Sequence, residues 1–319
     1  MALIKRTVQS KSTLQIIFGV GTIFLSLGIL GVLIYPQRQI LLSYNWDINW
    51  TALVLSFVVF TIDLLVVALI WAWMMNAVGG KHSLLTHLRV YLVSHLARRL
   101  PGTVWYVASR MVLYKQENVS SKLTVVASGI ELLVMMISGI IISLIFAVSI
   151  MATYGVGYGW FAAFAIVGAI LLYPKTLRFL LEKAGVDLPP TLQLWNIIQW
   201  IMAYVFAWFL GGLVLYSVGN IIADIPAVNI PFLIGCWSIV GVVSTALIFF
   251  PSNLGVTEVG LSLLLTTLVP PPIAVVIALL ARILLIVFEI FWAIIILGLT
   301  KKNSSGDVMA SLLKRKLMR

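Results

Sequence analysis

The sequence predicts an all-α polytopic membrane protein, with about six full transmembrane helices and two oppositely oriented re-entrant helical hairpins in an inverted repeat. Three observations carry this expectation. Of 319 residues 62% are hydrophobic and only 10% charged, whereas a soluble domain carries about a quarter charged residues. Apolar stretches of ~20 residues recur, the length of helix that ~30 Å of hydrocarbon requires. Two further stretches are interrupted near their middles, at Arg98-Arg99-Leu100-Pro101-Gly102 and at Phe250-Pro251-Ser252-Asn253-Leu254-Gly255. A charged residue follows each break, Arg110 in one case and Glu258 in the other, and a charged helix comes after it. Glu131 lies 30 residues beyond Pro101, and Arg282 lies 31 beyond Pro251. The halves read as a repeat with the charge signs exchanged.

Full spans are expected at about 14–34, 50–76, 123–151, 158–173, 195–222 and 272–299. The first follows Lys5, Arg6 and Lys11 and is too long for a signal-peptide core; no small-x-small cleavage site follows it, the next residues being Tyr35-Pro36-Gln37-Arg38. It is therefore expected to stay as an anchor. Trp50, Trp71, Trp73, Trp160, Trp195 and Trp200 fall near span ends, where indole rings favour the interface. Further basic clusters, Lys175, Arg178 and Lys183 in the middle loop and the 300–319 tail, belong beside spans on the positive, cytoplasmic side. This accounts for the net charge of +11 without a nucleic-acid partner. Both termini are then cytoplasmic, and the tail from Asp307 reads as an amphipathic surface helix. The single cysteine, Cys236, excludes an intrachain disulfide and a cysteine metal cluster. One transmembrane domain occupies 1–319.

Parity places the two broken stretches on opposite faces. The 83–114 hairpin enters from the cytoplasm and the 230–270 hairpin from the other side; crossing fully as pairs of spans would leave the parity unchanged. Pro removes a backbone donor and Gly permits a tight reversal, so Pro101, Gly102, Pro251, Asn253 and Gly255 are the expected hairpin breaks. Backbone exposed there must be buried in protein or line a polar cavity. Interrupted helices at matching positions of two halves mark central sites in membrane transporters, and half-helix N-termini in such a cavity favour an anion.

Eight ionisable residues lie within the apolar stretches, four basic (Arg98, Arg99, Arg110, Arg282) and four acidic (Asp63, Glu131, Glu258, Glu289). Lipid-facing positions would cost each ~3 kcal/mol or more. Arg110, Glu131, Glu258 and Arg282 read as a polar chamber that pairs internally when empty, or as structural ion pairs. Arg98 and Arg99 sit at a hairpin tip or are ordinary interfacial positive charges. Asp63 is a coupling carboxylate or the partner of a neighbouring helix. Glu289, seven residues after Arg282 on the same face, is a partner for an arginine or a second coupling group. The spacings of His82, His87 and His95 do not form an i, i+4 pair for a metal. No metal and no cofactor is expected.

At Arg99-Leu100-Pro101-Gly102 with Arg110 and Glu131, and at Pro251-Ser252-Asn253-Leu254-Gly255-Val256-Thr257-Glu258 with Arg282, the chain resembles the lysylphosphatidylglycerol synthase transmembrane-region family, flippase-like proteins that include the membrane half of the multiple peptide resistance factor. The resemblance covers about 14–299. It implies translocation of a lipid with a polar or anionic, phosphate-bearing headgroup across a prokaryotic cytoplasmic membrane. It also implies a separate lipid-modifying synthetase or glycosyltransferase as a possible partner. The chain has no synthetase domain, and its first motif reads Pro-Gly-Thr-Val-Trp where the family suggests Pro-Gly-Lys-Gly.

The leading expectation is thus a non-enzymatic lipid flippase, self-associating or alone, whose partners are membrane lipids. Its substrate-binding residues would be Arg98, Arg99, Arg110, Glu131, Glu258 and Arg282. The alternative is a membrane enzyme or accessory subunit acting on phospholipid or polyprenyl-phosphate-linked glycan. Such enzymes use metal-binding carboxylate clusters or a nucleophile with its base, whereas here the acids are dispersed singly.

Overall fold

The computed structural model describes residues 21, 24–99, 104–147, 150, 158–183, 185, 192–246 and 255–317, the side chains of Arg99, Val104, Tyr158, Trp160, Phe161, Leu180 and 301–317 excepted. The break residues Pro101, Gly102, Pro251 and Asn253 lie outside the described residues. Those described are mostly helical, with no strand among them. The helix lengths follow from the solvent. Hydrocarbon offers no partner for backbone N–H and C=O groups, so apolar segments close their hydrogen bonds internally as helices.

In chain order the helices are α1 (Phe24–Ser43), α2 (Trp50–Ala77), α3 (Leu84–Leu96), α4 (Val104–Gln116), α5 (Ser121–Phe146), α6 (Tyr158–Leu172), α7 (Pro174–Lys183), α8 (Leu194–Gly219), α9 (Ile230–Ala246), α10 (Val256–Leu265) and α11 (Pro271–Leu317). Local signals set several of the starts. The Asn49 side chain accepts from the Ala52 N–H at 3.1 Å to begin α2, and Ser83 accepts from Thr86 N–H at 3.2 Å to begin α3. Among the described residues six helices are long and apolar enough to cross a membrane: α1, α2, α5, α8, α11, and α9 together with the turn at Ala227–Asn229 that precedes it. The chain is an all-α, multi-pass membrane protein.

Several boundaries differ from expectation. Pro36 does not end the first helix; it sits at the start of a 3-10 turn, where a missing N–H costs no bond, and the helix resumes through Ser43. The helix expected at 158–173 lies where expected but has only 15 residues, and in place of the expected loop it bends by 63° into α7, with Pro174 at the bend. The first arm of the 230–270 hairpin, read from Ala227, reaches the 20 residues of a span, whereas its second arm, α10, has 10. In the first hairpin α3 and α4 have 13 residues each, ~20 Å, too short for either to cross alone. The last span and the basic tail form one helix of 47 residues rather than two. Trp71 and Trp200 are buried inside the bundle rather than placed at an interface.

The packing repeats. Helix α2 lies against α8; α3 lies against α11, and α9 against α5; α4 packs on α3 and α5, and α10 on α9 and α11. Exchanging α2–α5 for α8–α11 maps the α2–α8 contact onto itself and each of the others onto a second one. Close approach comes from small residues, as is usual where no hydrophobic force drives helices together in lipid. A Cβ on Gly212 of α8 would stand 2.6 Å from the Ile234 Cα of α9, and one on Gly235 would stand 2.5 Å from the Phe146 carbonyl of α5. Hydroxyl and indole bonds join the same helices: Ser143 to Ser238 at 3.1 Å, and Trp208 Nε1 to the Met135 carbonyl at 3.1 Å.

Gly212→Ala therefore forces α8 and α9 apart. It should lower stability by about 1–3 kcal/mol, as overpacked cores do, seen as a lower Tm in detergent. Gly129→Ala, where nothing lies within 4 Å, should leave the Tm unchanged or raise it.

Candidate functional site

The two repeats each bring an ion pair to the junction of a short helix with the long helix that follows. In the first, Arg110 of α4 meets Glu131 of α5, and both side chains are 0% exposed. One guanidinium nitrogen contacts Glu131 Oε2, and the other donates to Oε1 at 3.3 Å. Arg110 Nε also donates to Ser94 Oγ at 3.3 Å. The guanidinium lies 3.8 Å from the Trp71 ring centroid, 4.9 Å from that of Tyr91 and 5.1 Å from that of Tyr106, cation–π contacts that suit a planar, weakly hydrated cation. Tyr204 of α8 donates to Glu131 Oε1 at 2.9 Å. Behind this layer Trp71 donates to the Tyr114 hydroxyl at 2.8 Å, which contacts His87 Nδ1 at 2.7 Å, and His87 Nε2 reaches Asn76 at 3.2 Å. Helices α2, α3, α4, α5 and α8 are tied together through one buried cation.

In the second repeat the pair is more open. Gly255 takes φ 92° at the start of α10, a conformation that favours glycine, and a Cβ there would come within 2.2 Å of Ser26 in α1. Glu258, three residues on, divides its two oxygens. Oε2 accepts from the Gly255 N–H at 2.9 Å, satisfying one orphan donor of the helix end, while Oε1 meets Arg282 of α11 at 3.0 Å. Side-chain exposures are 19% for Arg282 and 8% for Glu258.

The difference follows from a cavity of about 280 Å³ inside the bundle. Among the described residues its acidic and basic lining is Asp63, His95, Arg98, Glu258, Arg282 and Glu289, while Phe60, Leu64, Met135, Trp208 and Trp237 contribute to its walls. Arg110 and Glu131 do not line it. They lie behind Tyr91 and Tyr204, both of which do, so the sealed pair holds two walls of the cavity from outside. Asp63 Oδ1 is buried and has no hydrogen-bond partner among the described residues. His95 Nε2 approaches Glu289 Oε1 at 3.4 Å, and the Arg98 guanidinium lies 4.7 Å from the Tyr106 ring centroid.

The structure thus gathers Asp63, Arg98, Glu258, Arg282 and Glu289 around one space and sets Arg110 and Glu131 outside it. The Arg99 side chain is outside the described residues. Sequence reasoning passed over His95, Tyr91 and Tyr204. A signal existed for two of them: Tyr91, His95 and Arg98 follow one another at i, i+4 and i+7, one helix face. Tyr204 had no such mark.

No protein-family model matches this chain, and a search of curated proteins gives no match.

Removing one partner of the sealed pair leaves a buried charge uncompensated, a cost of about 3–5 kcal/mol. Arg110→Ala and Glu131→Gln should each lower the Tm in detergent, and Arg110→Ala should accumulate to a lower level in membranes. Arg282→Ala, at the cavity, should fold with a much smaller loss; equal losses for the two arginines would contradict the division between a sealed and an open pair.

Proposed function

We propose that the protein is a translocase for a lipid with a phosphate-bearing headgroup in a prokaryotic cytoplasmic membrane. The observation that carries this reading is the cavity within a multi-pass bundle, where Arg282 and Arg98 stand beside carboxylates in an apolar wall. Intramembrane ionisable groups facing a cavity mark substrate pathways more often than scaffolding. Arginine suits a phosphate, because its fork presents two donors to two oxygens and keeps its charge when desolvated. Acyl chains stay in the lipid while the headgroup passes through the polar path. The resemblance of both break motifs to flippase-like proteins supports the same reading. The basic residues beside spans support cytoplasmic termini, with the end of α11 reaching beyond the bilayer.

The chain purified into liposomes should move a labelled lipid between leaflets, tested with anionic phospholipids and with glycosylated polyprenyl phosphates in parallel. Arg282→Ala, folded by the Tm criterion, should slow transfer at least about tenfold, the cost of one charge-assisted contact to phosphate. Unchanged transfer removes Arg282 from the path. If the purified wild-type chain moves no lipid, and transfer returns on adding a lipid-modifying partner, the protein is an accessory subunit instead.

A further inference from the structure

The described lining of the cavity carries more acid than an anion path needs. Its described ionisable groups are Asp63, Glu258 and Glu289 against Arg98 and Arg282, with His95 between. Counting 2 positive and 3 negative charges gives a net charge of −1 with His95 neutral, and 0 with His95 protonated. A headgroup bearing one negative charge enters against that balance. Charge left unbalanced in a low-dielectric space is costly, and ionisable groups answer by taking up protons.

One group is placed to do so. Asp63 is the fourteenth of 28 residues in α2, at the middle of a span, with its Oδ1 buried and unbonded among the described residues. The other two acids are engaged: Glu258 with Gly255 and Arg282, and Glu289 with His95. The charged and titratable groups that share the cavity with Asp63 are Tyr91, His95 and Arg98 from α3 and the turn after it, Tyr204 from α8, Glu258 from α10, and Arg282 and Glu289 from α11. From α5 only Met135 lines the cavity, Glu131 being held by Arg110.

We propose that Asp63 is the proton-binding site of a proton-coupled translocase. This rests on the translocase reading above. A proton taken from water in the cavity adds to the Asp63 carboxylate, cancels one negative charge, and supplies an O–H that donates to a phosphate oxygen of the headgroup. When the headgroup leaves, the proton returns to water. Linkage fixes the sign: the headgroup raises the proton affinity of Asp63, and protonation raises headgroup affinity by the same factor. With the lipid below saturation of the site, this gain in affinity makes transfer of an anionic headgroup faster as pH falls.

The first test needs no substrate. Infrared difference spectra of the full chain in vesicles, between about pH 5.5 and about pH 8, should show the carbonyl stretch of a protonated carboxylic acid. Asp63→Asn should lose that band, and Glu289→Gln should keep it; the reverse pattern overturns the assignment. The second test uses the lipid that the liposome assay finds moved. Wild-type transfer should be at least about fivefold faster at the lower pH, and Asp63→Asn should flatten that ratio to about one. If Asp63→Asn does not fold, Asp63→Glu takes its place and should shift both the carbonyl band and the midpoint of the pH dependence; an unshifted band and midpoint overturn the assignment. Lipid movement with no pH dependence in the wild type sinks proton coupling and leaves the translocase standing. No lipid movement at either pH sinks both.

Discussion

A guanidinium inside hydrocarbon must be neutralised and hydrogen-bonded, and Arg110 is the group on which much of this architecture depends. Helix α4 has 13 residues and cannot cross the bilayer by itself, so length does not fix its depth. Its cation does. Arg110 is satisfied only where Glu131, Ser94 and the rings of Trp71, Tyr91 and Tyr106 converge, and those groups come from α2, α3, α4 and α5. The same arrangement sets Tyr91 and Tyr204 as walls of the neighbouring cavity. The cavity's shape is thus a consequence of burying a charge that never faces it.

The sign exchange between the repeats has a local cause. An ion pair survives when its partners trade places, so either short helix can carry either charge. Position on the helix decides which. Glu258 is the third residue of α10, where the backbone N–H groups of the helix end lack partners and a carboxylate completes one of them. A cation at that position would oppose the helix dipole. Arg110 is the seventh residue of α4, past the exposed donors, where its reach and fork matter more than its interaction with the helix end. The two pairs occupy equivalent places in the packing but meet different backbone demands.

The long spans were legible because the bilayer dictates their length: α2, α5 and α8 begin and end within a few residues of where their apolar runs do. Helix α7 was not, since Lys175, Arg178 and Lys183 made the residues after Tyr173 read as a loop, whereas the chain turns helical again at Pro174 after a 63° bend. The charge-exchanged repeat was also legible, because it lives in spacing. What hid from the sequence was which pair is sealed. That depends on Trp71, Tyr91 and Tyr204 arriving from other helices, and nothing near Arg110 or Glu131 in the chain announces them. Trp71 and Trp200 misled for the same reason, since an indole near a span end fits an interface and a core equally well. His95 stood on the face of Tyr91 and Arg98, yet a neutral imidazole adds nothing to a count of charges.

The division of carboxylate oxygens separates the pair that can exchange partners from the one that cannot. Both oxygens of Glu131 are committed to Arg110, and one also accepts from Tyr204; a competitor for Arg110 would strand a buried carboxylate and open three rings. Glu258 has one oxygen on Arg282 and the other on the Gly255 N–H. A phosphate that takes Arg282 leaves Glu258 still holding its own helix, at the edge of a cavity where its other oxygen has room to be solvated. On the translocase reading, that asymmetry is what makes Arg282 available to a passing headgroup. Arg110 has the same chemistry one repeat earlier and stays a fixed brace.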